Sequence, residues 1–464
     1  MRSLRLLHCR AAAGLVLAAL VAAVGCASAR KKKDVPLPPH LQAKAVVDCS
    51  APPGGYPEGE KAVISALGGQ CGPLALPAPP GTVVPRPLNV LALSGGGQYG
   101  AYAAGVLIGW TATGTRPEFD VCTGISSGAL IAGMAFLGPK YDALLQQSFT
   151  DLERRDIVRY QPVRALIKYK SLGTSKPLRK RIEEIVSDEM MADLRVAHQA
   201  GRRLFIGTMN LRTRRLTVWD IGAIACSDRP DAREVVIKLF LASSSISGMV
   251  PAVEIDVEVD GVRYTEEHVD GGAVSQTFVR FGENHPRPIP GCGPGGRWLN
   301  GSNLFLIAGG KLYADPLPPE PGFLQRMGGT VSASLYALYR AELMRLYALC
   351  GVSGMRFNLT AIPADLETAK GSVQFEPDAQ KKMFEIGYQF GYAKGPWRTT
   401  PPGWEPGEDE IPRAGLSFSV PNPHGAAPAL SAPVVPAPAA PPVPLPPAPP
   451  AKEMPGYLPP VTKP

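Results

Sequence analysis

An α/β layered domain over residues 87–398 is what this sequence predicts, and three observations predict it. Strand-like and helix-like segments alternate through the block instead of clustering by type. Its opening strand breaks into a glycine-rich turn and passes straight into a helix of small residues, in Asn89–Leu107, NVLALSGGGQYGAYAAGVL. The composition also changes on either side of the block. Residues 26–86 hold Lys/Pro and Gly/Pro clusters around one short apolar stretch, Ala62–Leu67, and read as a tether. Residues 399–464 are dominated by Pro and Ala, with PAPAAPPVPLPPAPP at Pro436–Pro450. Such a tail has too little apolar surface to fold, so an extended, disordered polyproline segment is expected there. With 464 residues and 45% hydrophobic content, the chain has material for one sizeable core or two smaller ones.

The elements follow in order. Leu88–Leu93 reads as a buried strand, and the helix after Gly100 runs to about Trp110. Phe119–Thr123 is a second strand, followed by a helix from Ser127 to Phe136. Residues 141–200 read as a long, charged helical region. Leu204–Met209 and Leu216–Asp220 pair as a hairpin, and a helix covers about Arg233–Ala242. Val253–Val259 and Val262–Val269 form another hairpin, because Asp260-Gly261 suits the positive φ angles of a type I′ turn. Asn303–Ala308 is a further strand, and two helices, about 331–349 and 377–393, close the block.

The turn Gly95-Gly96-Gly97-Gln98-Tyr99-Gly100 joins strand to helix. Glycine there lets backbone N–H groups point outward and a ligand atom come close, and the helix N-terminus adds partial positive charge. A phosphate, a dinucleotide pyrophosphate and an acyl-transfer oxyanion all fit that description. The phosphate loop of nucleotide hydrolases needs Lys after its last glycine, and Ala101 stands here. Gly95-x-Gly97-x-x-Gly100 does match the dinucleotide fingerprint, with Asp120 at about the right distance. That acid should end the second strand, however, and Asp120 begins it.

The oxyanion reading gains from Gly124-Ile125-Ser126-Ser127-Gly128, a G-x-S-x-G on a strand-to-helix turn. Gly124 and Gly128 permit the tight elbow, and Ser126 Oγ is left exposed as a nucleophile. A serine nucleophile needs a base. Spacing alone leaves Asp270 open, and equally a Ser126, Asp270, His285 triad of the α/β-hydrolase order.

Together these pieces resemble the patatin-like phospholipase family. The resemblance rests on the Gly95–Gly100 loop, on Gly124–Gly128, and on Asp270-Gly271-Gly272 far downstream. Ala242–Val253, ASSSISGMVPAV, and the closing helix Phe375–Ala393 are similar to the family's segments as well, so the likeness spans about 88–394. It implies a three-layer α/β/α domain with a central mixed sheet and a Ser126–Asp270 dyad. It further implies an oxyanion hole from the N–H groups of Gly95, Gly96 and Gly97. Two departures stand out: Tyr99 where the loop often carries a basic residue, and Ser247 where proline is usual. The resemblance implies a lipid acyl hydrolase of the phospholipase A or lysophospholipase type. The same residues would serve a transacylase or a thioesterase, and a lipid-binding protein without turnover is the alternative from another class.

Residues 1–25 read as an export leader: Arg2, Arg5 and Arg10 precede the apolar run Ala11–Val24. Ala23-Val24-Gly25-Cys26 resembles the lipobox of bacterial lipoproteins, which implies cleavage before Cys26 and lipid on its sulfur. Ala27 in place of aspartate then points to the outer membrane, facing the periplasm. Cys49 and Cys71 flank a Gly/Pro-rich segment and are the expected disulfide in an exported chain. Cys122, in an apolar strand, is expected to be an inert core thiol.

The formal charge of +8 is mild for this length. Between Arg154 and Arg181 the cations outnumber the lone acid, Asp156, and apolar residues interleave with them, so residues 154–181 are a candidate surface for anionic lipid. Export argues against nucleic acid as partner; protein partners are not legible. The sequence has no H-E-x-x-H, paired C-x-x-C or EF-hand loop, so neither metal nor other cofactor is expected.

Overall fold

A computed structural model describes residues 86–160, 173–280, 299, 301–364, 366, 371–395, 397–404 and 408. The leader, Cys26, the Cys49–Cys71 pair, His285 and the proline-rich tail lie outside the described residues. The described residues divide into a small unit, Asp256–Glu266, and a large one that holds the rest. Among the described residues no helix is long and apolar enough to cross a membrane.

The fold is mixed α/β about a central sheet. In chain order come β1 (Asn89–Leu93), α1 (Gly100–Ala112), β2 (Val121–Ile125), α2 (Ser127–Leu137) and α3 (Asp142–Thr150). Next are α4 (Arg154–Ile157), β3 (Arg159–Tyr160), β4 (Gly173–Thr174), α5 (Lys176–Ile185) and α6 (Asp188–Gln199). Then follow β5 (Arg203–Asn210), β6 (Arg215–Asp220), α7 (Ile221–Cys226), α8 (Ala232–Ser243), β7 (Val253–Val259) and β8 (Val262–Asp270). Last are β9 (Asn303–Ile307), α9 (Phe323–Ser353), β10 (Arg356–Thr360) and α10 (Pro377–Tyr392).

Strands β10, β9, β1, β2 and β5 lie side by side in that order, all parallel. Such a ladder buries both faces, which is why β1 and β2 read as continuous apolar runs. Alternate residues serve the two faces. Val90, Ala92, Leu304, Leu306, Phe357 and Leu359 share one core with Tyr339, Leu343, Leu346 and Cys350 of α9. Phe305 points the other way, into an aromatic group with Trp110 of α1, Phe119 and Trp397.

The small residues of α1 receive a backbone. A Cβ on Gly105 would lie 2.1 Å from the Phe384 carbonyl oxygen of α10, and one on Gly391 would lie 2.2 Å from that of Val106. These two helices therefore pack main chain against main chain, closer than the usual 8–10 Å axis separation allows.

Strand β5 sets up the site. β6 pairs antiparallel along Phe205–Asn210 and fills one edge of β5. A strand has two edges, so β2 and β8 share the other. β2 holds that edge up to the Ile125–Gly207 pair, and β8 takes it over antiparallel from Thr208–Asp270. Ser126 leaves the edge where Asp270 joins it, which is how two residues far apart in sequence become neighbours.

The structure corrects three expectations. Residues 141–200 are not one helical region: β3 and β4 form an antiparallel ladder inside it, with Arg159 opposite Thr174. Val158 and Tyr160 favour extended backbone there, and Gly173 leaves room beside the Arg159 carbonyl. Phe119 and Asp120 precede β2 as bounded, although the Asp120 N–H donates to the Asn89 carbonyl and the Asp120 carbonyl accepts from the Arg203 N–H. The edge strand β10 was not legible in the sequence, because it follows α9 after only Gly354 and Met355.

Candidate active site

The elbow is built by close packing. A Cβ on Gly124 would sit 2.3 Å from the Gly128 carbonyl oxygen, and one on Gly128 would sit 2.4 Å from that of Ser94. With both positions bare, α2 starts directly over the ends of β1 and β2. Ser126, between them, has φ 56° and ψ −130°. A non-glycine residue held there costs about 1–3 kcal/mol and persists only where its surroundings impose it. One support is a neighbour: the Ser126 N–H donates to Ser243 Oγ at 3.0 Å, and Ser243 Oγ donates to the Gly207 carbonyl at 2.7 Å.

Ser126 Oγ donates to the Asp270 carboxylate. Asp270 also accepts from the Gly272 N–H at 2.8 Å, and its own N–H donates to the Ser245 carbonyl at 2.8 Å. Gly271 lies against Gly207 and Ile125, where a Cβ would come within 2.9 Å of the Gly207 carbonyl. Burial pushes the Asp270 carboxyl up to about 6, and the bonds from Ser126 and Gly272 offset only part of that. The segment Ser243–Ser245 therefore holds both residues, through a side chain at one end and a carbonyl at the other.

The glycine loop borders the same spot. A Cβ on Gly95 would fall 3.0 Å from Ser126 Cβ; Gly96 lies against the Gly309 carbonyl; Gly97, at φ 55°, lies beneath that of Ser372. Among the described residues the N–H groups of Gly95, Gly96 and Gly97 have no acceptor. Gln98 fastens the cover: its amide donates to the Ser372 carbonyl at 2.8 Å, and its side chain bonds the Gly371 carbonyl and the Glu376 N–H.

A cavity of about 160 Å³ opens at Ser126 and is walled largely by apolar side chains, among them Leu130, Phe149, Leu152, Leu178, Ile182 and Phe375. That size resembles the roughly 150 Å³ of a dry cavity that admits benzene. Ser127 and Ser244 also line it, with buried hydroxyls that have no partner among the described residues.

The structure thus brings Ser126, Asp270, Gly95, Gly96, Gly97, Gly124, Gly128, Gly271 and Gly272 together. It keeps Asp120 apart, at the start of β2, about 16 Å from the glycine loop by strand length. Its carboxylate is taken up by the Asn89 N–H and Arg86, so it offers nothing to a ribose. Of the two described histidines, His268 bonds Thr208 Oγ1 at 2.9 Å and His198 lies 3.6 Å from Asp220 at the start of β5. The described cations of 154–181 largely meet acids: Arg155 pairs with Glu153, Arg179 with Glu183 and Glu234, and Arg181 with Asp156 at 3.6 Å. Cys122 is buried, and burial pushes its thiol up to about 12, as an inert core thiol requires. Among the described residues no group of acids, histidines and cysteines is placed to hold a metal ion.

Sequence reasoning missed Ser243 and Gln98. Ser243 stood in a segment noted only for its likeness, and nothing in sequence marks a serine that braces a backbone from one that faces solvent.

Residues 91–281 match the family model of the patatin-like phospholipases. No curated protein matches the chain. Among solved structures, VipD from Legionella pneumophila matches at 11% identity over 66% of this chain and 66% of its own, with a TM-score of 0.32. The human GIVD cytosolic phospholipase A2 matches at 12% identity over 72% of this chain and 61% of its own, with a TM-score of 0.35. The chain spans just under two thirds of either neighbour's length.

Proposed function

We propose, from the premise that residues 91–281 form a patatin-like phospholipase domain, that the chain hydrolyses acyl esters of lipids through Ser126 and Asp270. The observation that carries this reading is the hydrogen bond from the strained Ser126 to a buried carboxylate, at the mouth of an apolar cavity.

In this reading Ser126 Oγ attacks the ester carbonyl carbon, and its proton passes to Asp270. The carbonyl oxygen becomes an oxyanion and meets the free N–H groups of Gly95, Gly96 and Gly97. Their contribution is large, since one such donor is commonly worth about 10²–10³ in rate. Collapse expels the alcohol, which takes the proton back from Asp270. Water then attacks the acyl-serine with Asp270 again as base, releasing the fatty acid and restoring Ser126. The cavity takes the acyl chain, because its apolar wall offers little to a head group. With its carboxyl near 6, Asp270 is ionised at pH 7 yet basic enough to accept a proton in the transition state.

The lipobox-like segment supports a companion proposal: Cys26 carries lipid and tethers the domain to the bacterial outer membrane on its periplasmic side, close to its substrate.

The test is hydrolysis of a short acyl ester and of a phospholipid by the wild type, Ser126→Ala and Asp270→Asn. Each variant is expected to lose on the order of 10⁴-fold in kcat/KM. A fluorophosphonate should label the wild type at Ser126. Undiminished turnover in both variants would remove the mechanism, and an unlabelled, inactive wild type would favour a lipid-binding protein without turnover.

A further inference from the structure

The helix α9 is 31 residues long, and only its second half belongs to the core. Its level on the sheet is fixed at two points. Tyr339 bonds Ser94, just past the end of β1, and Glu342 accepts the N–H groups of Gln276 and Thr277, just past the Asp-Gly-Gly turn. At its other end Ser353 accepts from Leu299, which precedes β9. The helix therefore runs from the starts of the parallel strands to their ends and then onward. At 1.5 Å per residue, Val331 to Phe323 project about 12–24 Å beyond Tyr339, on the side of the sheet that carries Ser126.

That projection is apolar along one stripe. Phe323 is 74% exposed, Met327 54% and Val331 58%, at the i, i+4, i+8 spacing of a single helix face. Leu317, 48% exposed, packs against Gly329, about 160° round the helix from Met327, and is not part of the stripe. Three of the ten large apolar side chains left exposed among the described residues thus share one face of one helix. Its helical state is not explained by propensity, since Gly328 and Gly329 sit within the projection and each costs about 1 kcal/mol relative to Ala. Within the projection itself, Phe323 to Leu338, the sequence holds one cation, Arg326, and no acid; Glu320 stands just before it.

We infer that the projecting half of α9 is a lipid-docking finger: Phe323, Met327 and Val331 enter the head-group region of an anionic membrane, with Arg326 meeting its phosphates. The inference rests on the lipid-hydrolase reading for its purpose, since a surface bound on this side faces the mouth of the site. An apolar stripe beside a cation, on a helix half that holds no acid, suits an anionic bilayer surface. The finger lies on the surface and does not span it. It lies outside residues 91–281, the segment that the family model matches.

The experiment uses the full chain with Cys26→Ser, to remove any acyl anchor, and Ser126→Ala, so that vesicles are not consumed. Co-sedimentation is measured with phosphatidylcholine vesicles and with equal mixtures of phosphatidylcholine and phosphatidylglycerol. The parent should bind the mixed vesicles. A Phe323→Ser, Met327→Ser, Val331→Ser variant should lose at least tenfold in partition coefficient, and Arg326→Glu should lose severalfold on mixed vesicles only. With Ser126 restored, the triple variant should keep its turnover of a soluble short-chain ester and lose turnover of vesicle phospholipid. Equal vesicle binding by parent and triple variant overturns the inference. So does a parent dimer that the triple variant converts to monomer with vesicle binding intact, since a second copy then covers the stripe. Loss of short-chain turnover by Ser126→Ala reports separately on the catalytic reading, and the binding measurement stands whichever way that falls.

Discussion

Asp120 and Asp270 are both buried acids at an end of the same sheet, and they keep different company. At the start of the parallel strands Asp120 is met by the Asn89 N–H at 2.8 Å and by the Arg86 guanidinium. Around it, Arg202 reaches the Phe119 carbonyl, and Arg203 lies 3.8 Å from Asp220. At the far end of the strands Asp270 has a hydroxyl and an amide and no cation among its partners, and its carboxyl rises to about 6. Backbone strain at Ser126 gathers at that end too, with amides at Gly95–Gly97 and hydroxyls at Ser127 and Ser244 that have no partner among the described residues. The acid at one end is met by a cation, and the acid at the other shares its surroundings with polar groups that lack partners among the described residues. A site that must meet a charge forming in a transition state has to be of the second kind, because groups already paired have nothing left to offer.

The largest effect that separates the two ends is on pH dependence. A base must be ionised to work, and the raised Asp270 carboxyl is protonated below about 6. kcat/KM should therefore fall about tenfold per pH unit below that point, reaching roughly 100-fold at pH 4 relative to pH 8. Asp120→Asn should leave the profile where it is. An apparent pKa near 4, or a profile that moves with Asp120, would erase the distinction between the ends.

Next in size are the stabilities, which should change with opposite signs. The folded-state value of Asp270 lies above its unfolded value of 3.8, so folding binds its proton more tightly. Stability from this group is present at low pH and is lost as pH rises from about 4 through 6. Asp270→Asn, uncharged throughout, should then stabilise the protein at pH 7 by on the order of 2 kcal/mol. Asp120→Asn removes the anion from Arg86 and should destabilise by about 1–2 kcal/mol, with kcat unchanged. Thermal unfolding of the two variants at pH 7 and pH 4.5 checks both signs, and the Asp270→Asn gain should shrink to roughly a third at the lower pH.

These contrasts also show what was legible in the sequence. The glycine loop, the elbow and Asp-Gly-Gly could be read because their glycines answer to local sterics: a Cβ at Gly128 has nowhere to go, whatever the rest of the chain does. The hairpin Val253–Asp270 was legible through Asp260 and Gly261, at φ 51° and 78°. The role of Asp120 was not, since its partners come from Asn89 and Arg86, across a strand and before it. Nor was the edge of β5 that β2 hands to β8, because pairing over such sequence distances leaves no periodicity behind. Residues 141–200 misled through charge, which suits an exposed helix and an exposed two-stranded ladder alike.

The smallest expected effect asks whether the reactive end depends on a fully paired group of its own. Ser243 is completely buried, accepts from the Ser126 N–H and donates to the Gly207 carbonyl. Ser243→Ala leaves both groups unpaired and frees the strained Ser126 backbone to relax. We expect kcat to fall about tenfold with KM unchanged, since the cavity wall is untouched, and fluorophosphonate labelling to slow in step. Ser245→Ala is the matched control. Its hydroxyl donates to the Leu241 carbonyl of α8, while the carbonyl that holds the Asp270 N–H survives the substitution. It should change kcat less than twofold. If both variants slow the enzyme equally, or if Ser243→Ala raises KM instead, the bridge is only part of the packing and the strain at Ser126 is held by α2 and its glycines. If Ser243→Ala alone lowers kcat, the shortage of partners at the catalytic end is maintained by a satisfied bond immediately beneath it.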